Sequence, residues 1–203
     1  MINNSWDERF NKQEYIYGKE PNVFVKSMLQ DHPSCDVLTI AEGEGRNAVY
    51  AAELGHRVTA WDYSSVGLDK LHQFADSRNV KVKTKLVDLA QEIDFRENQW
   101  DVVMNVFGHI GDASVRQRLM KGIKTMLRPG GVYIMEVYSD RQLPYRSGGG
   151  KDIRLLYTPC EVLQIFADWQ IKYFYYGEVE RYEGKLHTGL GHVIQLAVYK
   201  PTD

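Results

Sequence analysis

Cysteine is scarce in this sequence: Cys35 and Cys160 are the only two in 203 residues. They stand too far apart for a disulfide framework or a cysteine-rich metal cluster. Such sparing use fits a reduced, cytoplasmic setting. Long apolar runs are missing too. No stretch approaches the roughly 18 residues that a membrane span requires. The first 20 residues carry Asp7, Glu8, Glu14 and Glu20, so a secretory leader is not expected. Neither sign of charge dominates: 25 Lys and Arg face 27 Asp and Glu, for a formal net charge of −2. That balance gives no global reason to bind nucleic acid or an anionic membrane. Internal repeats and low-complexity tracts are absent, and Ser147-Gly148-Gly149-Gly150 is the longest flexible-looking stretch.

What is present suits one domain with a sizeable core: hydrophobic residues make up 43% of the chain. The pattern begins with a capping box at Ser5-Trp6-Asp7-Glu8. A second helix follows Pro21-Asn22 and runs to about Gln30. Strands then alternate with helices. Val37-Leu38-Thr39-Ile40-Ala41 is the first strand and Val58 to Asp62 the second. Val80 to Val87 is the third, Asp101 to Phe107 the fourth and Val132 to Val137 the fifth. Period-2 lysines at Lys81, Lys83 and Lys85 defend an exposed edge, which puts the third strand at the rim of the sheet. Ser64 or Ser65, Asp112 or Ser114, and Thr158 are the expected helix caps. Ile171 to Tyr182 and Leu190 to Tyr199 form a terminal antiparallel hairpin. The expected fold is α/β, a single doubly wound, mostly parallel seven-stranded sheet ending in that hairpin.

The chemistry concentrates after the first strand. Glu42-Gly43-Glu44-Gly45-Arg46-Asn47-Ala48 is an acid, a glycine turn and a helix start, where backbone N–H groups can approach a ligand closely. Gly43 to Ala48 satisfies G-x-G-x-x-G/A, and Asp62 lies about 20 residues on, as a dinucleotide site requires. A nicotinamide-dependent oxidoreductase is therefore a rival reading. Glu42 counts against it, because a carboxylate there would oppose a pyrophosphate. Asp88 adds a further acid at the end of the third strand. Tyr15-Ile16-Tyr17-Gly18-Lys19 has reductase spacing but precedes the glycine turn.

On these residues the chain resembles the class I S-adenosylmethionine-dependent methyltransferases. Arg128-Pro129-Gly130-Gly131 before the fifth strand and the final hairpin extend the likeness over nearly the whole domain. Trp6-Asp7-Glu8-Arg9-Phe10, Tyr15 to Gly18, Pro21-Asn22 and Arg46-Asn47 resemble the small bacterial tellurite-resistance-type methyltransferases.

The resemblance implies S-adenosylmethionine as cofactor and a set of roles. Gly43 and Gly45 would approach its methionine and ribose, with Arg46 and Asn47 behind them. Glu42 would lie near its ammonium. Asp62 would accept from both ribose hydroxyls. Tyr63 would flank the adenine, Asp88 would accept from its amino group, and Leu89 would pack beside it. Asn105 would lie at the methyl-facing end of the fourth strand. Trp6, Tyr15 and Tyr17 would form a lid or plug the core.

Methyl transfer from a sulfonium needs positioning and exclusion of water more than acid–base help. His109 is the candidate catalytic residue, being a histidine at the rim; a structural histidine bonding a loop carbonyl is its plain alternative. His187 in the hairpin link could reach over the pocket, while His192 reads as structural. Arg46, Arg146 and Arg181 would favour a polar or anionic acceptor. The Asn/Asp-Pro-Pro-Tyr/Phe signature of nucleic-acid N-methyltransferases is missing. A small-molecule acceptor is expected, such as a thiol, a chalcogen oxyanion or another small metabolite. No nucleic-acid or membrane partner is expected, and no metal, since no pair of residues has a metal site's spacing. A monomer and a homodimer both fit. A cofactor-binding domain without catalysis is the third reading.

Overall fold

In the computed structural model, residues 5–149 and 151–202 are described. Two short helices, α1 (Ser5–Phe10) and α2 (Val23–Leu29), precede the first strand. Then come β1 (Asp36–Ile40), α3 (Arg46–Glu53), β2 (Arg57–Asp62), α4 (Ser65–Ser77) and β3 (Val82–Leu86). The second half comprises β4 (Trp100–Val106), α5 (Ala113–Met126), β5 (Leu127–Tyr138), α6 (Pro159–Ile165), β6 (Gln170–Tyr182) and β7 (Thr188–Tyr199).

The seven strands form one sheet in the order β3-β2-β1-β4-β5-β7-β6. β1 to β5 are parallel; β7 is antiparallel to both β5 and β6. The lysine-bearing β3 is an edge strand, as its alternation predicts. The order reverses between β1 and β4, and ligands bind at such switch points, beyond the carboxyl ends of the strands.

Alternation along the strands builds two cores. Val37, Val58, Val102 and Ile134 pack with Leu71 and Phe74 of α4 on one face. Leu38, Ile40, Val103 and Tyr133 pack with Leu119 and Ile123 of α5 and with Phe166 on the other. Short polar side chains settle the helix starts: Ser64 accepts the Gly67 N–H, Asp112 those of Ser114 and Val115, and Thr158 that of Glu161.

β5 begins at Leu127, ahead of its expected start. Leu127 pairs with Trp100 before a bulge, and Gly130 and Gly131 exchange backbone hydrogen bonds with Lys200. Arg128 to Gly131 is thus part of the strand rather than a free turn. Among the described residues, no helix is long and apolar enough to cross a membrane.

Candidate active site

The glycine turn sits at the switch point. Ala41 leaves β1 with φ +52°, and Gly43 and Gly45 follow with φ +60° and +93°. A Cβ on Gly45 would stand 2.4 Å from Leu71 Cγ, so only glycine lets α3 start this close to α4. Across the switch point, Phe107 leaves β4 with φ +56°. Backbone held in the left-handed region at two neighbouring strand ends is a mark of a functional rim.

Carboxylates line the turn. Asp62, at the end of β2, is 7% exposed. Its Oδ2 accepts the Gly43 N–H at 2.7 Å and its Oδ1 the Ser64 N–H at 2.8 Å. Burial pushes its carboxyl above the usual range despite those donors. Glu42 accepts the first N–H groups of α3, Asn47 at 3.0 Å and Ala48 at 2.8 Å. Desolvation raises its carboxyl to about 7. A desolvated acid beside a glycine cradle fits a cationic ligand and repels a pyrophosphate. Asp88 is half-buried and accepts the Ala90 N–H and the Gln91 amide. Tyr63 is 41% exposed after β2, and Leu89 is buried in the second core.

Several expected site residues are held by internal hydrogen bonds. Arg46 is buried in an ion pair with Glu183 at 2.7 Å and also donates to the Tyr17 carbonyl. It is thereby committed to the hairpin link rather than to an acceptor. Asn47 accepts the Asn22 N–H at 2.9 Å. Asn105 is fully buried, and its amide folds back on Gly108, accepting its N–H at 3.0 Å. It shapes the loop after β4. His109 has both ring nitrogens engaged: Nδ1 donates to the Leu155 carbonyl at 2.9 Å, and Nε2 accepts the Tyr138 N–H at 3.2 Å. Burial lowers its pKa to about 4. A neutral imidazole with both nitrogens engaged favours the plain alternative for His109, a structural histidine bonding a loop carbonyl.

The amino-terminal segment divides between lid and plug. Phe10 lies on the glycine turn, where a Cβ on Gly43 would come 2.9 Å from its ring, and Trp6 stacks on Phe10 at 5.7 Å. Asp7 accepts the Ser64 hydroxyl at 2.5 Å. Tyr15 turns away into the core, 5.5 Å from Phe74, with its hydroxyl on the Lys70 carbonyl. Tyr17 stays at the mouth, 4.5 Å from His187. Glu44, which carries no role in the motif, fixes this segment: it accepts the Ile16 N–H at 2.8 Å and pairs with Lys70.

A buried aromatic cluster lies between the strand ends and the hairpin link. Phe107, Tyr138 and Tyr17 surround His187 at 4.5, 5.7 and 4.5 Å between ring centroids. The Arg181 guanidinium lies 4.7 Å from the Phe107 ring and 5.5 Å from that of Tyr138. Its Nη2 pairs with Glu136, but Nε and Nη1 have no partner, and neither has Nδ1 of His187. Burial and the nearby arginines hold His187 neutral, well below the usual histidine range. Gly148 packs against Tyr138 and His187, and Gly149 against Tyr138; Gly150 lies outside the described residues. The Phe107 and Tyr138 positions escaped sequence reasoning. The signal that could have found them is an aromatic at the carboxyl end of each of β4 and β5.

The comparisons agree with this geometry. A family profile described as a methyltransferase domain matches residues 37–131, from the start of β1 into β5. The probable S-adenosyl-L-methionine-dependent methyltransferase TehB of Haemophilus influenzae is 24% identical over 164 residues, 78% of this chain and 56% of that protein. Over these residues the chain is similar to S-adenosylmethionine-dependent methyltransferases. It spans little more than half the length of that curated relative. The crystal structure of H. influenzae TehB superposes with a TM-score of 0.72 at 18% identity, over 96% of this chain and 65% of that one. A protein from the conversion of a disulfide bond into a thioacetal group in echinomycin biosynthesis gives a TM-score of 0.75 at 17% identity, covering 96% and 87%. The N-methyltransferase NodS from Bradyrhizobium japonicum, in complex with S-adenosyl-L-homocysteine, gives 0.71 at 13% identity, covering 97% of both chains. At such identities the methyltransferase-fold likeness speaks for the fold alone.

Proposed function

We propose that this protein transfers a methyl group from S-adenosylmethionine to a small polar or anionic acceptor in the cytoplasm. The observation that carries the reading is the aromatic cluster of Tyr17, Phe107, Tyr138 and His187 beside the glycine turn, with the unpartnered guanidinium nitrogens of Arg181 among the rings.

When bound, S-adenosylmethionine supplies the methyl group on a positively charged sulfur. The residues of the turn then have defined tasks. Gly43 and Gly45 let the backbone approach the methionine and ribose. Glu42, ionised by a cation beside it, holds the ammonium. Asp62 accepts from the ribose hydroxyls with the lone pairs that Gly43 and Ser64 leave over. Tyr63 flanks the adenine, Asp88 accepts from its amino group, and Leu89 packs beneath it. Arg46 and Asn47 serve the site by holding the hairpin link and Asn22 in place.

The acceptor meets Arg181 and His187. Arg181 can donate to an oxyanion or thiolate. Neutral His187 can accept a hydrogen bond from an O–H or S–H and so aim its lone pair at the methyl. Phe10, Tyr17 and Phe107 exclude water, which shields neither sulfonium nor acceptor once the site is closed. Small thiols, chalcogen oxyanions and compact metabolites carry the groups that Arg181 and His187 recognise.

The test is an acceptor screen over those classes that reads out S-adenosylhomocysteine, with calorimetry against S-adenosylmethionine, S-adenosylhomocysteine and NADPH. Turnover with a small acceptor, lost in Arg181→Met, is expected. Tight binding of NADPH alone would replace this reading with the oxidoreductase. Cofactor binding without turnover on any class would leave a binding domain.

A further inference from the structure

The opposite end of the sheet holds three metal-ligating side chains for which methyl transfer has no use. His32 lies in the link from α2 to β1, Cys35 immediately precedes β1, and His56 immediately precedes β2. Parallel pairing of β1 and β2 brings them together: Asp36 is in register with Arg57, whose N–H donates to the Cys35 carbonyl at 2.9 Å. Nδ1 of His56 is 3.4 Å from Cys35 Sγ, and Nδ1 of His32 is 3.7 Å from it. All three ligand atoms lie within 4.8 Å of one another. A tetrahedral ion with metal–sulfur bonds of about 2.3 Å and metal–nitrogen bonds of about 2.05 Å spaces sulfur and nitrogen by about 3.6 Å. The two separations bracket that value.

His56 is 5% exposed. Its Nδ1 accepts the Cys35 N–H at 3.3 Å, so the ring proton sits on Nε2, which is buried without a partner. The Nδ1 lone pair is therefore already directed to the Cys35 side. His32 is half-buried and closes the third side, which leaves a fourth position for water. Imidazole and thiolate donors select zinc-like ions over magnesium or calcium.

We propose that His32, Cys35 and His56 bind a thiophilic divalent cation, Zn²⁺ or its cobalt analogue, at the amino ends of β1 and β2. On binding, the Cys35 thiol releases its proton to solvent, and the sulfur and both imidazoles donate electron pairs, with no change in oxidation state. His56 Nδ1 exchanges the Cys35 N–H for the ion, and His32 gives up its Nδ1 contact with the Pro33 carbonyl, 3.0 Å away, and carries its proton on Nε2. The ion clips the α2–β1 link to the α3–β2 link, a junction otherwise fastened by the Ser34 hydroxyl on the Gly55 carbonyl at 2.6 Å. Sequence spacing alone does not reveal the site, because His56 joins the His32-x-x-Cys35 pair only through the sheet.

The experiment titrates the whole protein, stripped with a chelator, with Co²⁺ and then Zn²⁺. One equivalent of Co²⁺ should give a thiolate-to-metal charge-transfer band and intense tetrahedral d–d bands, both bleached by Zn²⁺. Zn²⁺ should also raise the melting temperature. Cys35→Ser should abolish the charge-transfer band. His32→Ala, at a half-exposed position where folding is not at stake, should weaken binding at least about tenfold. Cys160→Ser should change nothing. A wild-type protein without the charge-transfer band, or bands that persist in both Cys35→Ser and His32→Ala, would overturn the proposal.

Discussion

The Asp62 carboxylate accepts the backbone N–H of Gly43 at 2.7 Å, joining the end of β2 to the turn that follows β1. One side chain thus fixes the shape of the glycine turn and presents an acceptor to whatever lies in it. Asp62→Ala is expected to weaken S-adenosylmethionine binding by about 1–3 kcal/mol, the scale of a hydrogen bond to a charged group. Calorimetry with the cofactor and with S-adenosylhomocysteine measures it. Unchanged affinity would place the ribose elsewhere.

Cofactor affinity should depend on pH through Glu42. Its carboxyl is raised to about 7 by desolvation, and a bound ammonium favours the ionised form. Affinity should therefore climb from about pH 6 to about pH 8, with proton release at the lower end. In the ligand-free protein the same raised pKa acts in the opposite sense. The folded state holds the proton more tightly than the unfolded chain, so this group's contribution to stability falls as pH rises from 4.5 through about 7. Glu42→Gln should flatten both profiles, read by calorimetry and by thermal melts.

His109 should matter for stability and not for the rate profile. Its folded pKa of about 4 lies below the ordinary 6.5. Its contribution is complete above 6.5 and is lost as pH falls towards 4. His109→Asn should melt lower at neutral pH and show a shallower acid limb, while the pH dependence of turnover keeps its form. A variant that lost one limb of the rate profile would restore His109 as an acid–base group.

Gly45→Ala should destabilise the fold by about 1–3 kcal/mol through its left-handed backbone alone. The clash of the new Cβ with Leu71, 2.4 Å away, adds to that. Leu71→Ala in the same chain should relieve part of the clash, since its Cβ stays 2.9 Å from the new one, and leave the backbone strain. Denaturant unfolding separates the two contributions.

The Arg46–Glu183 pair is buried at both ends, with 7% of each side chain exposed. Arg46→Met leaves Glu183 unpaired beside Asn22 and should cost about 3–5 kcal/mol. Arg46→Met with Glu183→Gln should recover much of it, because no charge is then left alone. Equal losses in the single and double variants would show that the pair is not what holds the hairpin link.

Much of the fold and part of the site follow from local chemistry. Lys81, Lys83 and Lys85 on alternating positions mark an edge strand, and β3 is one. Ser64, Asp112 and Thr158 cap their helices because a short acceptor side chain meets the first free N–H groups wherever the chain goes. Gly43 and Gly45 advertise a turn with positive φ, and Glu42 and Asp62 at strand ends advertise a cation with hydroxyls. Those inferences need only the periodicity of a strand and the conformational freedom of glycine.

Tertiary structure decided which side chains are spent. Arg46, Asn47, Asn105 and His109 all stand at the rim in sequence. Each finds its partner 3 to 137 residues away, on Glu183, Asn22, Gly108 and the Leu155 carbonyl. Apart from Asn105 and Gly108, three residues apart, no local pattern encodes such partners. The same long-range pairing leaves Arg181 and His187 with open polar atoms among Phe107, Tyr138 and Tyr17, and gathers His32, Cys35 and His56 at the far end. The sequence by itself determined the glycine turn and its flanking acids, because that cradle is one contiguous stretch. What faces the acceptor was decided only when the hairpin and the amino-terminal segment folded back over that turn, since burial and hydrogen bonding depend on every element that arrives.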